Sequence, residues 1–236
     1  MKKLNGLKLK TPEIWQKERL AHWLYEWNLL RASIRTSDAE LHESKEEPKA
    51  KDILPKVCIA QFDSNIEAGQ IRLLAPQANE NMIFVAVTSV EPDGKVEIVP
   101  FGLLSEPATP DELLSERDTE VVRVYCLWNA RSVMPSILDK SWVVDKLDKA
   151  ETEHLLKTLV FCKTTGRVPE NMQRSTGPPL IHPNDPRREY RNHERQRIDK
   201  ALAETKNINA SNVVHYDIDA GQQRLRKAAE DREQYD

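Results

Sequence analysis

The feature that most constrains the fold is a pair of β-forming runs joined by a short turn. Residues 83–90 are rich in branched and aromatic side chains, and residues 95–101 alternate between apolar and polar types. Between them, Glu91–Lys95 contains a proline followed by Asp-Gly, a pair that tolerates the positive φ of tight turns. These runs predict an antiparallel hairpin, which begins a sheet of sequential strands.

Three more runs are predicted to be strands: residues 69–74, 121–128 and 141–147. The run at 121–128 is almost continuously apolar, which is typical of a strand that is buried on both faces. We therefore expect it to lie at the centre of the sheet. The chain is predicted to be an α+β protein with a small SH3-like antiparallel β-barrel.

Two helix-start patterns lie between and after these strands. Thr109 and Glu112 have the spacing of a capping box, which predicts a short helix before the apolar pair that follows. Asp148 and Glu151 have the same spacing, and they predict a helix that runs to about residue 163 and is ended by a glycine.

A long amphipathic helix is predicted at residues 12–35, with Thr11 as its N-cap and Pro12 at its first position. Apolar residues recur on one face at steps of three and four, namely Leu20, Trp23, Leu24, Trp27, Leu30 and Ile34. Tryptophan is enriched at protein interfaces, so this face predicts either a cap over the sheet or a partner-binding surface. The residues expected to bind a partner are Leu20, Trp23, Trp27 and Leu30.

The remaining segments are polar. Residues 36–56 are predicted to be a linker, and the proline-rich residues 167–186 cannot form long regular structure. Charged helices are predicted at 187–206 and 220–234, where few apolar anchors suggest that they project or dock on a partner. The chain is thus divided into an N-terminal helix with its linker, a β-barrel domain with its capping helix, and a proline-rich, charged tail, at residues 1–56, 57–166 and 167–236.

Charge and cysteine content exclude several classes of protein. The net charge is -3, and residues 57–160 hold nine Lys and Arg against 17 Asp and Glu, the wrong sign for binding phosphates. The three cysteines form no CxxC pair, which indicates a reducing compartment. No signal peptide or membrane span is evident, so a cytoplasmic location is expected. Scattered histidines and the absence of a phosphate-binding glycine motif predict no metal and no cofactor.

The β region resembles a known family. Gly69-Gln70-Ile71, the strand that ends in Ser89, and the late strand with its capped helix are similar to the MazF/PemK toxin endoribonucleases, over about residues 66–163. The resemblance implies an SH3-like barrel and metal-independent RNA cleavage. In that family an arginine precedes the second strand, and a hydroxyl residue follows the proline that ends the third strand.

The family's catalytic pattern is incomplete in this chain. The loop at residues 75–82 contains no arginine, and Ser105, the nearest hydroxyl after the third strand, is followed by Glu106. A phosphorane needs fixed positive donors where its charge develops. We therefore expect no catalytic residues in this region.

Three functions remain as expectations. The preferred one is a non-catalytic regulatory protein that binds another protein; the architecture also resembles accessory proteins of bacterial defence systems that involve a CRISPR-associated protease and a sigma factor. A divergent endoribonuclease would need its cations from Arg72, Arg123 or Arg131. A nucleic-acid-binding regulator would use the basic run, at Arg187, Arg188, Arg191 and Arg195. The sequence does not indicate an oligomeric state.

Overall fold

The computed structural model describes residues 12–39, 61, 62, 64–75, 82–115 and 123–207, with side chains in the first helix from 17 to 34. The described helices are α1 Pro12–Ala39, α2 Pro135–Leu138, α3 Lys149–Thr165 and α4 Arg187–Asn207. The described strands are β1 Gln61–Phe62, β2 Gln70–Leu74, β3 Ile83–Val90, β4 Val96–Pro100, β5 Glu112–Leu114, β6 Val124–Cys126, β7 Arg131–Val133 and β8 Trp142–Lys146. Short 3-10 helices occupy Leu127–Asn129 and Glu170–Ser175.

An antiparallel sheet in the order β1-β8-β2-β3-β4-β7 forms the centre of the fold. The predicted hairpin is confirmed: β3 pairs with β4, and Gly94 in the turn has a φ of 84°, which suits glycine. Among the described strands, β1 and β7 lie at opposite edges and do not pair with each other. The α+β class is confirmed, whereas the sheet is open, and the predicted barrel is not confirmed.

Helix α3 covers one face of this sheet. Ala86 of β3 and Val99 of β4 point to that face, where they join a cluster that includes Leu155 and Leu159 of α3. The predicted cap is confirmed, since the Asp148 side chain accepts the Glu151 N–H and the Glu151 side chain accepts the Asp148 N–H. These two bonds satisfy backbone groups that a helix start leaves without partners.

Helix α4 covers the opposite face. Val85 and Val87, which alternate with Ala86 along β3, pack in a second cluster with Ile198 and Ala201 of α4. The expectation that the segment at 187–206 projects or docks on a partner is therefore wrong, because the helix buries its apolar stripe against the chain's own sheet.

Two predictions in the β region are corrected. Residues 112–114 form strand β5 rather than a helix, because the Glu112 carboxylate turns inward and the backbone pairs with β6. The described part of the run at 121–128 gives β6, which pairs with β5 in a separate two-stranded sheet. Its continuous apolar character reflects burial of Val124, Tyr125 and Cys126, not a central position in the large sheet.

The segments outside the sheet follow the sequence in part. Helix α1 starts at Pro12 as predicted and continues to Ala39, so the first residues of the predicted linker are helical. Residues 40–56 of that linker and the helix predicted at 220–234 lie outside the described residues. The described residues up to Lys206 belong to one compact unit. The domain boundaries after residues 56 and 166 remain predictions.

Candidate functional site

Helix α1 packs against loop residues and against α4. Its two tryptophans, Trp23 and Trp27, are 0% and 2% exposed. Both rings meet the Tyr190 ring edge-on, at centroid distances of 5.4 and 5.6 Å, and Leu104 and Ala108 belong to the same cluster. Edge-to-face packing of this kind stabilises aromatic clusters beyond the area they bury.

The placement of the predicted partner-binding residues requires a correction. Leu20 and Leu30 are half-buried beside the aromatic cluster, and Trp23 and Trp27 are covered by the chain itself. The tryptophan face therefore packs on Tyr190 and the neighbouring loop and does not offer an open partner groove. Of the two possibilities that the sequence left open, the intramolecular one describes this structure, although the face caps a loop and α4 and not the sheet.

The loop at residues 102–110, which we call the Ser105 loop, is held by a carboxylate of α1. Glu26 accepts the backbone N–H of Ser105 at 3.0 Å and its hydroxyl at 2.6 Å. Arg19, which precedes Glu26 on α1, lies 3.4 Å from the carboxylate of Glu106. Burial raises the pKa of the Glu106 carboxyl. The hydroxyl that the family resemblance places near the reaction centre is therefore bound to one carboxylate and adjacent to a second.

A buried carboxylate, that of Glu112, binds the backbone of the Ser105 loop. Glu112 is fully buried and accepts hydrogen bonds from the Ala108 N–H and the Trp128 indole. Burial raises its pKa from 4.5 to about 7. Burial also raises the pKa of the Cys126 thiol nearby, which keeps the thiol protonated and unreactive.

The arginines proposed for a divergent ribonuclease do not form a cationic site. Arg72 is fully buried, and its guanidinium donates to the Leu138 and Asn65 carbonyls and to the Ser141 hydroxyl. Arg131 donates to the carbonyl of Asn129. The strands that carry the two arginines, β2 and β7, are separated by β3 and β4 in the sheet.

This separation, together with the engagement of Arg72, argues against a shared phosphate site. Three strand spacings place β2 and β7 about 14 Å apart. The third candidate, Arg123, is exposed, stands just before β6 in the smaller sheet, and acts electrostatically on Glu106 of the Ser105 loop. Arg72 instead joins β2 to the turn after α2, which is a structural role.

The basic run at the start of α4 is also largely engaged. Arg187 is buried, lies 2.5 Å from the Asp185 carboxylate and donates to the Ala108 carbonyl. Arg191 lies 3.1 Å from Asp111 and stacks over the Trp128 ring at 4.2 Å. The predicted nucleic-acid-binding set is thus reduced to two exposed members, Arg188 and Arg195.

An apolar groove opens beside the N-terminal half of α1. Its volume is about 370 Å³, and we call it the Ile181 groove because Ile181 is 86% exposed at its edge. Its lining residues are Lys17, Leu20, Pro178, Pro179, Ile181, His182, Asp185 and Arg187. Leu20, Pro178, Pro179 and Ile181 together form a contiguous apolar surface, and such surfaces are typical of interaction sites.

Neither a metal site nor a membrane-spanning helix is present among the described residues. No group of three or more His, Cys, Asp or Glu side chains in the described ranges could hold a metal ion. No helix within the same ranges has the length and apolar character needed to cross a membrane.

Some functional residues could not be found from the sequence. Glu26 looks like an ordinary polar residue between two tryptophans, and only the fold brings it to Ser105, 79 residues away. Tyr190 lies within a charged run that suggested a solvated helix. Ile181 had a weak signal, since the apolar pair Leu180-Ile181 lies between prolines and outside every predicted helix or strand.

Comparison with known proteins gives no relative: no protein-family model, no curated protein and no solved structure matches this chain.

Proposed function

We propose that this chain is a non-catalytic regulatory protein that recognises another protein, and that its sheet is related to the SH3-like barrel of the MazF/PemK toxins. The observation that carries the proposal is the occupation of the Ser105 loop by α1. Where the family resemblance expects an RNA phosphate, this chain binds a helix. That helix docks through Leu20, Trp23, Trp27 and Leu30, in the manner in which proteins bind amphipathic helices of their partners.

The electrostatics of the Ser105 loop support the absence of catalysis. A scissile phosphate would meet the carboxylates of Glu26 and Glu106, and the nearby guanidinium groups of Arg19 and Arg123 already act on Glu106. Like charges at close range oppose binding, and phosphoryl transfer depends on positive groups at the reacting oxygens. Arg72 is already engaged in structural hydrogen bonds.

The Ile181 groove supports the second half of the proposal, recognition of a protein. Its floor is apolar, and its exposed charged side chain is Lys17, with His182 nearby. The acidic residue in the lining, Asp185, is neutralised by Arg187. The groove therefore suits a partner segment that has a large apolar side chain with acidic neighbours.

A pair of matched surface variants tests this proposal. Ile181→Asp places a charge in the groove, and Val160→Asp makes the same change at an exposed position on α3. Because both side chains already contact solvent, both variants should fold. The immobilised full chain is exposed to an extract of the cells that produce it, and the proteins retained by each variant are quantified.

We expect a specific protein to be retained by the unmodified chain and by Val160→Asp, and to be lost with Ile181→Asp. Equal retention by all three chains, or selective loss with Val160→Asp, would contradict the role of the groove. Retention of no protein by the unmodified chain would contradict the proposed function itself.

A further inference from the structure

A second cavity, of about 490 Å³, lies between α1 and α4, and we call it the α1–α4 pocket. Helix α1 contributes Trp27, Arg31 and Ile34, and α4 contributes Glu189, Asn192, His193 and Gln196. The pocket combines an indole, an aliphatic side chain, two amides, a guanidinium, an imidazole and the Glu189 carboxylate. An apolar wall with a few polar groups is the composition of many ligand sites.

Three nitrogen atoms of the residues that line this pocket are buried without a hydrogen-bond partner among the described residues. They are the indole nitrogen of Trp27, Nε of Arg31 and Nδ1 of His193. The nearest ion-pair partner of His193 is Glu194, at 3.7 Å, which is too long for a hydrogen bond. Buried polar groups are nearly always paired, so these side chains have unused hydrogen-bonding capacity, which a ligand in the pocket can reach only when a side chain turns.

The Arg31 guanidinium pairs with Glu189 through only one of the two nitrogens on its Nε–Nη2 edge. Nη2 lies 3.0 Å from Oε2 of Glu189, while Nε of the same edge is without a partner. The Nε–Nη2 edge of a guanidinium can bind both oxygens of a carboxylate at once. Glu189 therefore holds this arginine with one of the two bonds that a better-placed carboxylate would make.

We infer that the α1–α4 pocket binds a carboxylate, which replaces Glu189 on Arg31 and makes two bonds with its Nε–Nη2 edge. The side chains of Arg31 and Glu189 are 36% and 50% exposed, so both can turn without unpacking the helices. The release of Glu189 to water should cost little free energy, because exposed ion pairs contribute little to stability. The side-chain amide of Asn192 and the apolar surface of Ile34 would contact the rest of the ligand.

This inference goes beyond the proposed function and does not depend on it, since the pocket and the Ile181 groove have no lining residue in common. The carboxylate could belong to a small molecule or to an acidic side chain of a protein. Both sources present the same chemistry to Arg31. The experiment separates them by using two probes at constant ionic strength.

The full chain is titrated with sodium glutarate, and separately with a capped tetrapeptide that carries one glutamate between leucines. NMR follows the Nε–H signal of Arg31 and, in all variants, the side-chain amide signals of Asn192 and Gln196. A saturable shift with glutarate supports a free carboxylate as ligand. A saturable shift with the peptide alone supports a protein side chain. Absence of a saturable shift with both probes would overturn the inference.

Two variants with opposite expected effects make the test specific. Arg31→Lys keeps the charge and removes the two-donor edge, so binding should weaken about tenfold or more. Glu189→Gln removes the competing carboxylate, so binding should tighten about two- to fivefold. Arg188→Lys, at an exposed position on the same α4, is the matched control and should bind normally. Equal effects of Arg31→Lys and Glu189→Gln would indicate a structural ion pair and contradict the site.

Discussion

Helices α4 and α1 pack against the rest of the chain in two different ways. Under α4, Ile198 and Ala201 complete an apolar cluster on the sheet. The Thr205 hydroxyl in that contact accepts the Ala75 N–H at 2.7 Å and donates to the Ala201 carbonyl at 2.7 Å. The Asn129 amide donates to the Glu194 carbonyl of α4, and its Oδ1 has no partner among the described residues. This contact has the composition of a protein interior.

Under α1 the contact is aromatic and incompletely paired. Trp23 and Trp27 are buried against Tyr190, yet neither indole N–H has a hydrogen-bond partner among the described residues. A buried donor without a partner costs about 1–3 kcal/mol, which offsets part of the gain from burying the rings. We therefore expect α4 to behave as an integral layer of the fold and α1 to open more easily.

The largest effect is expected from a substitution under α4. Ile198→Ala removes buried methyl groups and leaves a cavity against the sheet, so the free energy of unfolding should fall by about 2–5 kcal/mol. Leu29→Ala, at an exposed position on α1, is the control and should change it little. Chemical denaturation measures both. An Ile198→Ala chain as stable as the control would remove the distinction between the two helices.

The next effect concerns Glu112, whose carboxylate accepts the N–H of Ala108, a residue that packs against α1. Its pKa is 4.5 in the unfolded chain and about 7 when folded, because burial favours the neutral form. The folded chain thus binds the proton more tightly, so stability is highest below about pH 4.5 and falls as pH rises to 7. At about 1.4 kcal/mol per pKa unit, the loss amounts to roughly 2–3 kcal/mol.

Denaturation at several pH values measures this loss, with Glu112→Gln as the comparison. The variant has no group that ionises at this position, so the part of the pH dependence due to Glu112 should vanish. A Glu112→Gln chain that keeps the full decline between pH 4.5 and 7 would assign that decline to other groups and contradict the buried state of this carboxylate.

A smaller effect is expected from Trp27→Ala. The loss of the ring is partly compensated, because the variant no longer buries an unpartnered indole N–H, and we expect a net destabilisation of about 1–3 kcal/mol. Hydrogen exchange should show faster exchange in α1 and unchanged protection in β3 and β4. Tyr25→Ala, on the exposed side of α1, should leave both unchanged. Equal acceleration in α1 and in the sheet would mean that the helix is not a separable cover.

The sequence predicted those parts of the fold that local chemistry determines. The branched runs of β3 and β4, the turn with Gly94 and the capped start of α3 all depend on neighbouring residues. The packing of α1 does not depend on neighbouring residues. Glu26 contacts Ser105, which is 79 residues away, and no local pattern indicates that contact. Glu112 misled the prediction because its spacing fits a helix cap, whereas its carboxylate serves a buried bond to Trp128.

The most direct test of the account is an RNA-cleavage assay of the full chain in the presence of a metal chelator. Glu26→Ala releases the Ser105 hydroxyl from its carboxylate partner, and Glu153→Ala, at an exposed position on α3, is the matched control. Because the Ser105 hydroxyl is bound to the Glu26 carboxylate, and Arg19 and Arg123 act on the carboxylate of Glu106, we expect no cleavage above the buffer blank with the unmodified chain or with either variant. Cleavage by the unmodified chain or by Glu26→Ala that disappears when Ser105→Ala is added would contradict the account.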